Sequence, residues 1–397
     1  MTLTLRPHQL DALNAMSDNT KGQIIVPTGG GKTMCMIEDV KRQFKSPVMK
    51  TIVVVAPRIL LANQLSSEFL EQNLDGNYNV GIAVAHVHSG ETHHFSTTNS
   101  IDLTHWNSTN PHHHKLIFTT YHSLHKIQNS MVDVDTIYFD EAHNSVQKNF
   151  FPATEHFSHL AERCYFFTAT PKHSRSPVKA GMNWPEYGQV ICNVPAPKLV
   201  KQGYILPPKV VINKIDLPDD DRFAYEHDRD CVLDTIDAQD VDKILICARS
   251  TKQIINLVTH STFVVDLISR GYSWLMITSK TGAVIDGKKV DREEFFNTLN
   301  TWGKDSSKRF VVLHHSILSE GINVKGLEAA MFLRNMDYIT ISQTIGRVIR
   351  KGDESKTFGL LCVPVYDKVG ISTSRKVQAV VDTVFNKGEP AISVVRS

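Results

Sequence analysis

One stretch of this sequence restricts the fold more than any other: IIVPTGGGKT, residues 24–33. A β-branched run feeds three glycines, then Lys-Thr, then the helix-forming MCMIEDVKRQF. Glycines let the backbone turn back so that several N–H groups converge on one phosphate, and the following helix adds its positive N-terminal end. Such a loop needs a strand before it and a helix after it, which commits the surrounding chain to an α/β layer. Lys32 has the length to reach β- and γ-phosphates, and the Thr33 hydroxyl suits Mg²⁺. Pro27, Thr28, Gly29, Gly30 and Gly31 form the cradle itself. The strict G-x-x-x-x-G-K-[ST] pattern is missed at its first position, Val26. The plain alternative, a glycine turn that happens to precede a helix, leaves the order strand, loop, Lys-Thr, helix unexplained.

The rest of the chain repeats that alternation. Apolar strand-like runs fall at 23–26, 51–56, 80–87, 115–118, 136–140 and 164–168, then at 209–213, 243–248, 274–278, 309–313, 329–334 and 358–365. Helical stretches lie between them. Continuous apolar strands alternating with helices imply parallel sheets covered on both faces. The pattern occurs twice, with a break near residues 193–208, where NVPAPKLVKQGYILPP carries four prolines and is expected to hold no regular element. The expected domains are 1–195 and 206–397. Residues 88–114, polar and rich in Ser, Thr, Asn and His, read as a long surface loop.

Length supports two or three domains, and 41% hydrophobic with 21% charged residues is ordinary globular composition. No apolar run reaches membrane-spanning length and the N-terminus has no signal-peptide character, so a soluble, cytoplasmic, non-membrane protein is expected. Six cysteines without a C-x-x-C pair sit mostly in apolar runs, as small hydrophobes do. A net charge of +2 neither announces nor excludes a polyanion as partner.

Two further motifs carry chemistry. TIYFDEAH (136–143) is a buried strand ending on two acids, which cannot both be desolvated without a strong partner such as a metal ion. Asp140 then suits Mg²⁺ coordination, with Thr33, and Glu141 suits activation of an attacking water. A solvated turn is the plain alternative. In FLRNMDYITISQTIGRVIR (332–350), Gln343, Arg347 and Arg350 fall at spacings of four and three, along one face of a helix. That face is either a solvated basic surface or a pair of arginine fingers for a γ-phosphate.

In this order, and across two α/β halves, the motifs resemble those of a superfamily-two helicase, and smaller elements agree. RPHQ (6–9) resembles the adenine-reading motif, which gives Arg6 and Gln9 nucleotide-binding roles. APRILLANQ (56–64), TTYHSL (119–124) and TATP (168–171) resemble motifs that face or couple to nucleic acid, as do CARS (247–250) and ILSEGINV (317–324). The resemblance therefore assigns Pro57, Arg58, Thr119, Thr120, Thr168, Thr170, Arg249, Ser250 and Ser319 to nucleic acid, and Gly321 to the nucleotide. Lys172, His173 and Arg175 lie beside these motifs. PTGGGKT with QTIGRVIR is similar to the DNA-directed group that includes XPB, type III restriction motor subunits and the phage repair helicase UvsW. It differs from the processive DEAH RNA-helicase branch. Asn323 stands where this group often carries an acid, and no separate DNA-binding domain is expected ahead of RPHQ.

The resemblance implies two tandem RecA-like domains with ATP and Mg²⁺ in the cleft between them. Lys32, Glu141, Gln343, Arg347 and Arg350 are the expected catalytic set of a nucleic-acid-stimulated ATPase. The partner is expected to be DNA, gripped mainly by its backbone and moved by a monomeric motor in repair or recombination. An ATP-gated annealing clamp and an RNA helicase share the same engine and remain open. A metabolic P-loop kinase leaves the second half unexplained. Ten of the 19 histidines fall between His86 and His125. They lack the ligand spacing of a zinc site and are expected to be solvated, tightening nucleic-acid binding at pH 6 relative to pH 8.

Overall fold

The computed structural model describes residues 4–72, 81–90, 92–215, 223–278, 280–315, 326–333, 336–351, 356–365 and 370–395. Two compact units emerge: Met1–Val194 with Ile392–Ser397, and Pro195–Ala391.

In the first unit the strands are β1 (Lys21–Ile25), β2 (Thr51–Ala56), β3 (Ile82–Val87), β4 (Phe95–Ser96), β5 (His114–Thr120), β6 (Thr136–Phe139), β7 (Arg163–Thr168), β8 (Lys172–Ser174) and β9 (Val190–Asn193). The helices are α1 (Pro7–Asp18), α2 (Lys32–Phe44), α3 (Ile59–Glu71), α4 (Ser100–Thr109), α5 (Leu124–Gln128) and α6 (Phe151–Leu160). Eight strands form one parallel sheet in the order β4-β3-β5-β2-β6-β7-β1-β9. The central strands are buried along nearly their whole length, which is why they read as unbroken apolar runs. Register matters for function: Ala56 pairs with Thr120, Val55 with Phe139, and Ile25 with Thr168, so the strand ends carrying the motifs share one edge of the sheet. Buried Asp39 of α2 fixes that helix across two strands, accepting from Tyr138 Oη at 2.5 Å and from both terminal nitrogens of Arg163 at 3.0 and 3.1 Å.

The second unit contains α7 (Ala196–Lys201), β10 (Pro208–Lys214), α8 (Ala224–Gln239), β11 (Lys243–Cys247), α9 (Thr251–His260), α10 (Phe263–Ser269), β12 (Ser273–Thr278), β13 (Gly282–Ile285), β14 (Lys288–Val290), α11 (Arg292–Lys304), β15 (Phe310–His314), β16 (Ala329–Phe332), α12 (Tyr338–Val348), β17 (Gly359–Val365) and α13 (Ile371–Val381). Its sheet runs β10-β17-β16-β11-β15-β12-β13-β14. The strands are parallel as far as β12, after which β13 and β14 add an antiparallel hairpin. Asp286 and Gly287 turn that hairpin, both at positive φ (44° and 84°), the dihedrals a two-residue turn with this twist requires.

Four expectations change. Residues 88–114 are no open loop. They hold β4 and α4, the latter capped by Asn99 and anchored by buried Leu103 and Trp106, whose ring stacks on Phe95 at 5.8 Å. The proline-rich break contains α7, because Pro195 and Pro197 fall at its first positions, where a missing N–H costs nothing. The chain end returns to the first unit, where β18 (Ser393–Val395) pairs in parallel with β8, so residues 392–397 lie outside the second unit. Arg350 lies beyond the end of α12 rather than on its face. None of the six cysteines forms a disulfide. Among the described residues no helix is long and apolar enough to cross a membrane.

Candidate functional site

The glycine loop is held from its carbonyl side. Arg6 caps α1, and its N–H donates to Gln9 Oε1 at 2.8 Å, which fixes the Gln9 amide. Gln9 Nε2 then donates to the Gly31 carbonyl at 3.2 Å, His8 Nε2 to Gly30 at 2.7 Å, and Arg6 Nη1 to Gly29 at 3.4 Å. Three consecutive loop carbonyls are thus turned towards α1. Gly29 and Gly31 sit at φ +84° and +86°, where side chains are strained, and a Cβ on Gly31 would collide with Gln9 Nε2. Gly31 caps α2, which starts at Lys32. The Thr28 hydroxyl is sheltered and meets no hydrogen-bond partner among the described residues.

Lys32 and the acidic pair meet beside this loop. Lys32 Nζ lies 3.5 Å from Glu141 Oε1, and both side chains are only 9% exposed. Glu141 itself adopts φ +46°, ψ +53°, a left-handed conformation that costs a non-glycine residue roughly 1–2 kcal/mol and persists only when its surroundings enforce it. Here the enforcement is visible: Asp140 N–H donates to Val55 O at 2.9 Å, and Asn144 Nδ2 donates to Glu141 O at 3.0 Å. Burial raises the Asp140 carboxyl above its usual range, the adjacent Glu141 charge adds to this, and Lys32 opposes both. Two desolvated carboxylates beside an ammonium and a threonine-bearing loop make an oxygen-rich donor set of the kind Mg²⁺ prefers.

Two links were not anticipated from the sequence. Buried Tyr121 donates from Oη to the Asp140 carbonyl at 2.8 Å, tying TTYHSL to the acidic strand end. His143 Nδ1 lies 3.0 Å from Thr168 Oγ1, 3.4 Å from Thr170 Oγ1 and 3.6 Å from Glu141 Oε2, so one imidazole bridges DEAH and TAT. Both depend on pairings far apart in sequence. The only available hint was a polar or aromatic residue directly after a strand end.

The residues assigned to nucleic acid divide by burial. Thr119, Thr120, Thr168 and Thr170 are fully or nearly fully buried, with the Thr119 hydroxyl donating to Val87 O at 2.9 Å; Pro57 is buried too. Arg58 is half-buried at the start of α3, while Arg249 is exposed and Ser250 caps α9 by accepting from Gln253 N–H. Lys172 and His173 lie in β8, and Arg175 is exposed just after it. In the second unit, Gln343 and Arg347 are 5% and 4% exposed, which rules out a solvated basic face for α12. Ser319 and Gly321, with the rest of ILSEGINV, lie outside the described residues.

The histidines also differ from expectation. His86, His88 and His114 are buried, and burial lowers the pKa of each. His93, His94, His105 and His112 are exposed. Among its described residues the histidine-rich stretch gathers no metal-ligand group. Among the described residues the one such group is Glu155, His159 and Glu186, whose ligand atoms lie within 4.8 Å of one another.

Residues 2–173 match the family described as type III restriction enzyme, res subunit. No curated protein matches the sequence. The whole chain is similar in fold to the ATP-dependent Type ISP restriction-modification enzyme LlaBIII bound to DNA, with a TM-score of 0.73, 17% identity and 31% of that protein covered. A nuclease-deletion mutant of the Type ISP enzyme LlaGI, in complex with a DNA substrate mimic, gives 0.67 and 18% over 98% of this chain and 30% of that one. S. cerevisiae Dbp5 bound to RNA and ADP BeF3 gives 0.59 and 15%, over 98% of this chain and 89% of that one. The chain thus spans about a third of the restriction enzymes it resembles. Residues 2–173 thus match the type III restriction res-subunit family model, and the chain as a whole has the tandem RecA-like fold.

Proposed function

We propose that this chain is an ATP-driven nucleic-acid motor whose track is DNA. The observation that carries the reading is the convergence of Lys32 and Glu141 at 3.5 Å beside Asp140 and a glycine loop whose carbonyls are pinned away from the cradle. Lys32 exchanges its contact with Glu141 for the β- and γ-phosphates. Thr33 and Asp140 hold Mg²⁺, which when bound neutralises phosphate charge. Glu141, released from Lys32, accepts the proton of the attacking water. Arg347 and Arg350 neutralise charge that develops on the transferring phosphoryl group, and Gln343 orients the same γ-phosphate.

DNA is favoured over RNA because PTGGGKT with QTIGRVIR resembles the DNA-directed group, and the Type ISP enzymes of similar fold were captured with DNA or a DNA mimic. Direct backbone contacts fall to Arg58, Arg249, Ser250 and Arg175. The buried threonines act through their neighbours instead. Remodelling of branched or repair intermediates is the proposed task. ATP turnover with single-stranded, duplex and branched DNA and with RNA, beside strand-displacement and annealing assays, tests the reading. Stimulation by RNA alone would overturn the DNA assignment, and annealing without displacement would make the chain an ATP-gated clamp.

A further inference from the structure

The last carbonyls of an α-helix have no partner within the helix. In α12 those carbonyls flank Arg347 and Arg350, so whatever fixes them also fixes where the two guanidinium groups point. Lys356 Nζ donates to Val348 O at 2.5 Å and to Arg350 O at 3.4 Å, and its third contact is Leu327 O at 2.5 Å, at the entry to β16. The Ile349 carbonyl between them accepts from Leu206 N–H at 2.7 Å. An ammonium has three N–H donors, and here each faces a main-chain oxygen. No carboxylate pairs with it among the described residues. A cation at a helix C-terminus is also favoured by the helix dipole.

We propose that Lys356 is a positioning residue for Arg347 and Arg350, its ammonium clamping the final turn of α12 to the segment that enters β16. The inference rests on the reading of those arginines given above. A neutral amine keeps two donors and turns a lone pair towards the third carbonyl, so the clamp needs the charge. Burial lowers the Lys356 pKa to about 8, with Glu328 favouring the charged form and Lys243 opposing it. Lys243 is occupied nearby, donating to Gly303 O at 3.1 Å, and Glu328 accepts from Asp242 N–H at 2.9 Å. The clamp is therefore closed at neutral pH and opens as the pH rises through about 8.

The test uses the full chain with saturating oligo(dT), following kcat and KM for ATP from about pH 6.5 to 9.5, together with the melting temperature. The wild type is expected to lose kcat above about pH 8 with little change in KM. Lys356→Met should lower neutral-pH kcat about tenfold or more, leave KM for ATP within about twofold, and lack the alkaline fall. Lys356→Arg keeps the charge and should recover most of kcat while moving the fall to higher pH. Arg347→Ala is the control, expected to cost ~10³ in kcat. If Arg347→Ala is inert, the arginine reading fails and the clamp falls with it. If Arg347→Ala is costly while Lys356→Met is silent, the clamp alone is wrong. A Lys356→Met protein that loses kcat, ATP affinity and melting temperature together, without rescue by arginine, also overturns it. Should the methionine variant not fold, the wild-type pH profile beside that of Lys356→Arg decides.

Discussion

Acidification should destabilise the first unit through His86, whose buried hydrogen-bond relay requires a neutral ring. Gly90 N–H donates to His88 Nδ1 at 3.1 Å, which makes His88 Nε2 the protonated nitrogen. That nitrogen faces His86 Nδ1 at 3.0 Å, and His86 Nε2 in turn donates to Ser66 Oγ at 3.1 Å. The relay runs one way and uses both rings in their neutral form, so a proton added to either breaks it. Among the described residues no carboxylate pairs with either ring, and His94, stacked on His86 at 5.9 Å, opposes charge on it. Burial together with those neighbours lowers the His86 pKa from 6.5 to about 4. The unfolded chain thus binds more protons than the folded one between these values, and stability falls as pH falls. From pH 7 to pH 5 the unfolded imidazole takes up about 0.7 proton and the folded one about 0.1, which integrates to a loss of about 2 kcal/mol. His88, shifted in the same direction, adds to it. Urea denaturation at both pH values, comparing wild type with His86→Phe, reads the effect. The variant is expected to be less stable at pH 7 by about 1–3 kcal/mol, since it strands the His88 donor, yet to show a flatter pH response. An equal pH response in the two proteins, or a His86 imidazole seen by NMR to protonate near pH 6.5, would refute the reasoning.

Three other outcomes are expected. Glu141→Gln should keep ATP binding and lower hydrolysis by about 10²–10⁴, read by single-turnover kinetics beside a nucleotide-binding titration; parental turnover would remove Glu141 as the base. Gly31→Ala should lower the melting temperature of the first unit through about 1–2 kcal/mol of left-handed strain plus the collision with Gln9 Nε2, and should abolish ATP binding; Gln9→Ala in the same chain relieves only the collision. Affinity for a labelled single strand should fall with salt by a log–log slope of about −0.7 per phosphate contacted, with little dependence on base sequence. A salt-insensitive, sequence-selective isotherm would point to base reading instead.

The features legible in the sequence are those that local backbone chemistry dictates. Three glycines before Lys32 and a buried strand ending in Asp140-Glu141 leave a chain few alternatives. Apolar runs buried on both faces announce themselves by composition. Helix α4 escaped because its buried side is only Leu103 and Trp106, too few to give a 3.6-residue period, while its polar residues serve as cap and surface. The β13–β14 hairpin escaped although Asp286-Gly287 is a turn pair, because the surrounding alternation pointed to a wholly parallel sheet. Ser393–Val395 is three residues long and gains its identity only from β8. Nothing in the spacing of HSGETHHF or PHHH says which imidazoles are buried, so the expected pH 6 enhancement of binding loses three of its histidines, His86, His88 and His114, to the interior.

The buried threonines change how the proposed motor is best understood. With Thr168 and Thr170 fully enclosed and hydrogen-bonded around His143, TAT has no surface with which to touch a phosphate backbone. It does share an imidazole with Glu141, the residue proposed to take the proton from water. Tyr121 brings TTYHSL to the carbonyl of Asp140 in the same way. On the proposed reading, nucleic acid acts at the exposed ends of these segments, and the buried hydroxyls carry its effect to the acidic pair. Glu141 is held in a left-handed conformation by the contacts of Val55 and Asn144, while Tyr121 fixes the carbonyl just before it and His143 joins its carboxylate to TAT, so a small displacement of either segment reaches that strained residue. Stimulation of hydrolysis by nucleic acid then requires no contact between the two ligands, only a shift in the strain stored at a single residue.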